Sequence, residues 1–120
     1  MFTRIVSMTL KPNASKQFTE LLEQKILPAL REEPGFQDEI VLIEPGGPDV
    51  KAMSIWDTAE DADNYARTIY PKVLRMLETV LEKEPAVETY QLAYSTLHST
   101  PISEFPKPAP LTTPVPGVGG

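Results

Sequence analysis

Cysteine is absent from the chain. That excludes disulfides, thiolate metal sites, cysteine nucleophiles and CxxC redox motifs together, and it fits a reducing compartment. Histidine occurs once, as His98; one histidine cannot build a metal site alone, and a nucleophile triad lacks a suitably placed base. Cations are scarce: 11 Lys and Arg stand against 17 Asp and Glu, a net charge of -6. A polyanion partner requires a basic face that releases counterions from phosphates, and the cations here are scattered, which argues against nucleic acid. An acidic chain also gains nothing at an anionic membrane. No apolar run approaches the ~20 residues that span a bilayer. The opening MFTRIVSMTLK alternates apolar with polar residues and has no small-residue cleavage pattern after it, unlike a signal peptide. A soluble cytoplasmic protein is the expectation.

What is present divides into two unequal parts. Residues 100–120, TPISEFPKPAPLTTPVPGVGG, hold six of the 13 prolines and three of the six glycines. Proline fixes φ and removes a backbone donor, so this tail can join neither helix nor central strand. It reads as an extended tail, or as an arm laid on a partner subunit through Ile102, Phe105 and Leu111. Residues 1–99 read as one domain, an ordinary size for a single core.

Within that domain the hydrophobic period switches between two and 3.6. Phe2 to Leu10 alternates as a strand. Pro12 and Asn13 follow, and Asn13 or Ser15 can cap a helix over residues 14–32, whose apolar stripe is Phe18, Leu21, Leu22, Ile26, Ala29 and Leu30. Pro28 should bend that helix or restart its last turn. Pro34 and Gly35 stop it. Phe36 to Glu44 is the second strand, PGGPD a turn, and Val50 to Trp56 the third strand, which makes a hairpin with the second. Thr58 opens the second helix with Asp61 three residues on, a capping-box-like arrangement, and Glu60, Asp61 and Asp63 bring negative charge to the positive end of the dipole. Its inward stripe is Ala62, Ala66, Ile69, Val73, Leu77 and Val80. Pro71 splits this helix into about 59–69 and 71–83 and should push Tyr70 out of αR geometry. Pro85 ends it, and AVETYQLAYST, residues 86–96, is the fourth strand.

Strand, helix, strand, strand, helix, strand is the split βαβ pattern, an α+β ferredoxin-like βαββαβ fold: a four-stranded antiparallel sheet with both helices on one face. Two helices cover only one face, yet apolar residues occupy both. Phe2, Val6, Met8 and Leu10 oppose Ile5 on the first strand. Phe36, Ile40 and Leu42 oppose Val41 and Ile43 on the second. Met53 and Ile55 oppose Ala52 and Trp56 on the third, and Tyr90, Leu92 and Tyr94 oppose Val87 and Ala93 on the fourth. An apolar patch of this kind usually marks an interaction site, and a second copy about a two-fold axis is the simplest occupant. The alternative is a monomer with a mixed, wet face bearing Thr3, Ser7, Thr9 and Glu39.

PGFQDEIVLIEPG followed by VKAMSIWDTAEDADNYA resembles the antibiotic biosynthesis monooxygenase family of dimeric α/β barrels. The matching features are Pro34-Gly35-Phe36 before the second strand, Trp56 at the end of the third, and the acidic and alanine residues that open the second helix. The likeness covers about residues 1–98. It implies a homodimer formed through the sheet face, with a pocket in each subunit between the sheet and the broken helix. It also implies oxygenase chemistry with no flavin, no metal and no other cofactor, on a small aromatic ligand such as an acidic phenol or quinol. The substrate is deprotonated and itself passes an electron to oxygen. The protein then has to bind it, exclude water and hold the anion with donors.

Candidate donors are Trp56, Asn64, Tyr65, Tyr70 and, if it faces inward, Arg4. Packing offers a second account of each: Trp56 as a core anchor, Tyr65 and Tyr70 as core or pocket lining, Asn64 exposed among acidic neighbours, Arg4 paired with a carboxylate. For catalysis the candidates are Tyr70 and His98, the latter as a general base with an unperturbed pKa of ~6.5. The heme-degrading branch of the family takes iron on a histidine of the second helix, nine or ten residues past the tryptophan. Tyr65 and Ala66 stand there, so heme breakdown is not expected. A non-catalytic dimeric binding or stress-associated protein on the same scaffold is the alternative.

Overall fold

The computed structural model describes residues 1–97. His98 and the proline-rich tail with Ile102, Phe105 and Leu111 lie outside the described residues. Strands β1 (Phe2–Thr9), β2 (Phe36–Ile43), β3 (Asp49–Trp56) and β4 (Ala86–Gln91) form one antiparallel sheet in the order β2-β3-β1-β4. After β1 come α1 (Ser15–Leu21), a π-helical stretch (Leu22–Ile26) and α2 (Leu27–Arg31); after β3 come α3 (Ala59–Thr68) and α4 (Tyr70–Leu77). This is the ferredoxin-like α+β fold that the element order implied.

Proline placement explains both helix interruptions. Pro28 sits in the first turn of α2, and just ahead of it the Leu27 N–H bonds to the Leu22 carbonyl, a five-residue reach that defines a π turn. Pro71 likewise sits in the first turn of α4, where its missing donor costs least. The break falls on Ile69 (φ -103°, ψ -40°), one residue earlier than the sequence suggested, and Tyr70 is already helical. At the start of α3 the Thr58 hydroxyl accepts from the Asp61 N–H at 3.0 Å, the expected cap. At α1 the expectation fails: Ala14 is the N-cap and no side chain caps it. Asn13 instead turns the chain with φ 62°, a conformation asparagine tolerates.

One face of the sheet packs on the helices. Val6, Met8, Val50 and Trp56 join Phe18, Ile26, Leu30, Ala62, Tyr65, Val73, Leu77 and Val80 in one core. Strand registers then assign every other residue to a face. A bulge between Phe36 and Asp38 leaves Gln37 unpaired, and a bulge resets the alternation. Phe36 therefore shares the helix side with Val41 and Ile43, not the outer side with Ile40 and Leu42. Glu39, expected on the wet face, also points to the helix side. β4 is shorter than the sequence suggested, ending at Gln91, and is exposed along its whole length. The helices cover β1 to β3 and leave β4 open.

Candidate active site

A polar row crosses the helix-covered face. Glu39 of β2 pairs with Ser54 of β3, Ser54 with Arg4 of β1, and Arg4 with Thr89 of β4. Strands lie about 4.8 Å apart, so Arg4 and Glu39 flank the small Ser54 from roughly 10 Å apart at the backbone. The Ser54 hydroxyl accepts from the Trp56 indole N–H at 2.8 Å. Trp56 is fully buried and meets Phe36 edge-on at 5.5 Å and Tyr65 at 4.9 Å between centroids. The tryptophan is thus a core anchor that also holds the centre of the row.

Two tyrosines roof it. Tyr65 comes from α3 and Tyr70 from the first residue of α4, their rings 6.1 Å apart across the helix break. The Arg4 guanidinium lies 4.5 Å from the Tyr70 ring centroid and 5.5 Å from that of Tyr65, a double cation–π contact. Arg4 is 5% exposed, yet its Nε and Nη2 are buried without a hydrogen-bond partner; the same holds for Glu39 Oε1 and the Tyr70 hydroxyl. Buried donors and acceptors are ordinarily satisfied. Several unsatisfied together, around one small residue beneath a helix break, mark a place built to receive polar atoms.

The electrostatics follow from that burial. Desolvation pushes the Glu39 carboxyl up to about 8; the Arg4 charge opposes the shift and Asp38 adds to it. Desolvation also raises the Tyr65 and Tyr70 phenols, again against the pull of Arg4. Both tyrosines therefore stay protonated at neutral pH and act as donors. Glu39 alone among them titrates near neutrality, where a general base works best.

Arg4, Trp56, Tyr65 and Tyr70 are thus gathered in one region, while Asn64 is exposed on the far side of α3. Its backbone carbonyl takes the Thr68 hydroxyl at 2.7 Å. His98 lies outside the described residues. Sequence reasoning missed Glu39 and Ser54. Alternation counted from Phe36 turns Glu39 outward, whereas counting back from Val41 and Ile43 turns it inward. Among the described residues no group of His, Cys, Asp and Glu could hold a metal ion, and no helix is long and apolar enough to cross a membrane.

The sequence profile of the antibiotic biosynthesis monooxygenase family matches residues 1–78. The chain belongs to that family. Solved structures agree on the fold. A monooxygenase from Streptomyces coelicolor, in complex with the ligand nanaomycin D, is 18% identical over 82% of this chain and 92% of its own, with a TM-score of 0.66. A protein of unknown function from Nitrosomonas europaea is 18% identical, covering 82% and 95%, with a TM-score of 0.67. A conserved protein from Methanosarcina mazei Go1 is 23% identical, covering 76% and 92%, with a TM-score of 0.62. No curated protein matches the chain.

Proposed function

We propose that this protein is an oxygenase that needs no bound cofactor, acts on an aromatic quinol-type small molecule and works as a homodimer. The observation that carries the reading is the buried, unsatisfied set of Arg4, Glu39 and Tyr70 beneath the helix break. Family membership supports it, and a structural relative described as a monooxygenase holds the ligand nanaomycin D. Chemistry of this kind asks the protein for a base, donors for the anion and a dry surround. The ionised form of Glu39, whose population grows as pH nears 8, accepts the substrate proton. Arg4 and the two phenols hold the resulting anion, whose excess electron density makes it a better reductant. In overall balance a hydroquinone and dioxygen give a hydroxyquinone and water. The ring loses four electrons, one oxygen atom enters it, and the other leaves as water.

The reading also needs a second copy on the outer sheet face, where Ile5, Ile40, Leu42, Met53 and Tyr90 lie together by register. A second reading, a binding protein without turnover, draws on the two tyrosines, which donate and do not deprotonate. Oxygen uptake with a panel of quinols separates them. Substrate-dependent uptake by the wild type, reduced at least tenfold in Glu39→Gln and less in Tyr70→Phe, supports catalysis; His98→Ala tests the competing base in the same assay. Ligand-induced rises in Tm with no uptake would move the assignment to the binding protein.

A further inference from the structure

The unsatisfied atoms of Arg4 are not an arbitrary pair. Nε and Nη2 form one edge of the guanidinium, and their two N–H bonds point the same way in a rigid fork. The guanidinium carbon lies over the Tyr70 and Tyr65 rings, and the Nε–Nη2 edge is left without a hydrogen-bond partner. Such a fork matches two oxygens on one carbon and takes a carboxylate in two parallel, charge-assisted bonds. A ring hydroxyl or a quinone carbonyl fills only one of them. Within the chain the carboxyl of the row is Glu39, but it stands across Ser54 on β2 and makes no bond to that edge. Neighbouring β4 offers Thr89, which carries no charge.

We propose that the compound bound here is an aromatic carboxylate, its two acid oxygens seated on the Nε–Nη2 edge of Arg4 and its ring hydroxyl directed along the row toward Glu39. This rests on the aromatic-substrate reading above and narrows it. The carboxylate neutralises a cation that the fold otherwise buries without a bonded anion, and it pins the ring so that one hydroxyl meets the base. A neutral quinol leaves at least one of the two donors without a partner, and an unsatisfied buried donor opposes binding.

The test is a calorimetric titration of the full chain under nitrogen with 2,5-dihydroxybenzoate and with 1,4-hydroquinone, which differ only in the carboxylate. The expected result is binding of the acid at least tenfold tighter than hydroquinone, with that preference lost in Arg4→Lys, which keeps the charge and removes the fork. The two wild-type titrations decide the matter even if the variant fails to fold. Equal or tighter binding of hydroquinone would overturn the carboxylate while leaving the aromatic site standing. No binding of either compound would overturn both.

Discussion

The Arg4 guanidinium lies over the Tyr70 ring at 4.5 Å, one from the second position of the β1 helix-side row and the other from the first residue after a helix break. The contact joins the sheet to the helix restart that Pro71 imposes. A desolvated cation–π pair is worth about 2 kcal/mol, and a half-buried ring adds its own packing. Tyr70→Phe keeps the ring and should change stability by less than about 0.5 kcal/mol. Tyr70→Ala removes both terms and should cost about 2–4 kcal/mol. Urea denaturation of the two variants checks this; equal losses would mean the hydroxyl, not the ring, carries the interaction.

Glu39 makes stability depend on pH in an unusual direction. Its carboxyl is raised from 4.5 to about 8 in the folded chain. Below pH 4.5 both the folded and unfolded states hold the proton, and the group is neutral in effect. Between 4.5 and 8 the unfolded chain has released the proton while the folded chain keeps it. Stability therefore falls as pH rises through that window and levels off above 8. The shift corresponds to a loss on the order of a few kcal/mol. Thermal melts from pH 5 to 9 should show a declining Tm for wild type and a flatter profile for Glu39→Gln. A wild-type Tm that rises over this range would contradict the burial of the carboxyl.

Gly35 is required by the turn that feeds β2. Its φ is +79°, and a Cβ there would run into the Asp61 side chain at the start of α3. The same turn takes the Asp57 N–H on the Gly35 carbonyl at 2.8 Å, and Gln37 donates to the Asp57 carboxylate at 2.6 Å, so it fastens β2 to the exit of β3. Gly35→Ala should cost about 2–3 kcal/mol: roughly 1–2 for the left-handed backbone, the rest for the collision. In an Asp61→Gly background, which removes the Asp61 Cβ as well as its carboxylate, the collision goes and the strain stays, so the same substitution should cost about 1 kcal/mol less. A double-mutant cycle by denaturation measures the difference; strict additivity would place Asp61 elsewhere.

The fold was readable because its punctuation is local. Thr58 and Asp61, Pro28, Pro71 and the Pro34-Gly35 stop each act within a few residues, and the alternating strands gave the element order. Arg4 was half readable: it shares even positions with Phe2, Val6 and Met8, so period two already turned it inward. What it meets there depends on residues 61 and 66 positions away, Tyr65 and Tyr70, which no local pattern reports. Glu39 was hidden by the bulge at Gln37, a glutamine in place of the glycine that often signals one. A single unpaired residue reverses the side of everything after it. The polar row therefore exists only in the folded register.

The outer sheet face carries the last prediction. Ile5, Met53 and Ile40 stand side by side across β1, β3 and β2, with Leu42 beside Lys51 in the next row. Leu42 is 53% exposed and Tyr90 52%, an apolar surface of the kind monomers seldom show water. The same side holds a polar contact, Lys51 Nζ donating to the Ser7 hydroxyl at 3.1 Å, which gives an interface register as well as area. A second copy related by a two-fold axis would bury the patch against itself, and a stable interface needs about 800 Å² from each partner. Light scattering during gel filtration should return twice the 13.3 kDa chain mass for wild type. Met53→Glu, at the middle of the three-residue row, would bury two unpaired carboxylates in the interface and should shift the protein to the single-chain mass with its fold intact by circular dichroism. A wild-type protein that elutes at the single-chain mass at all concentrations would remove the dimer, while leaving the Arg4 row on the opposite face untouched.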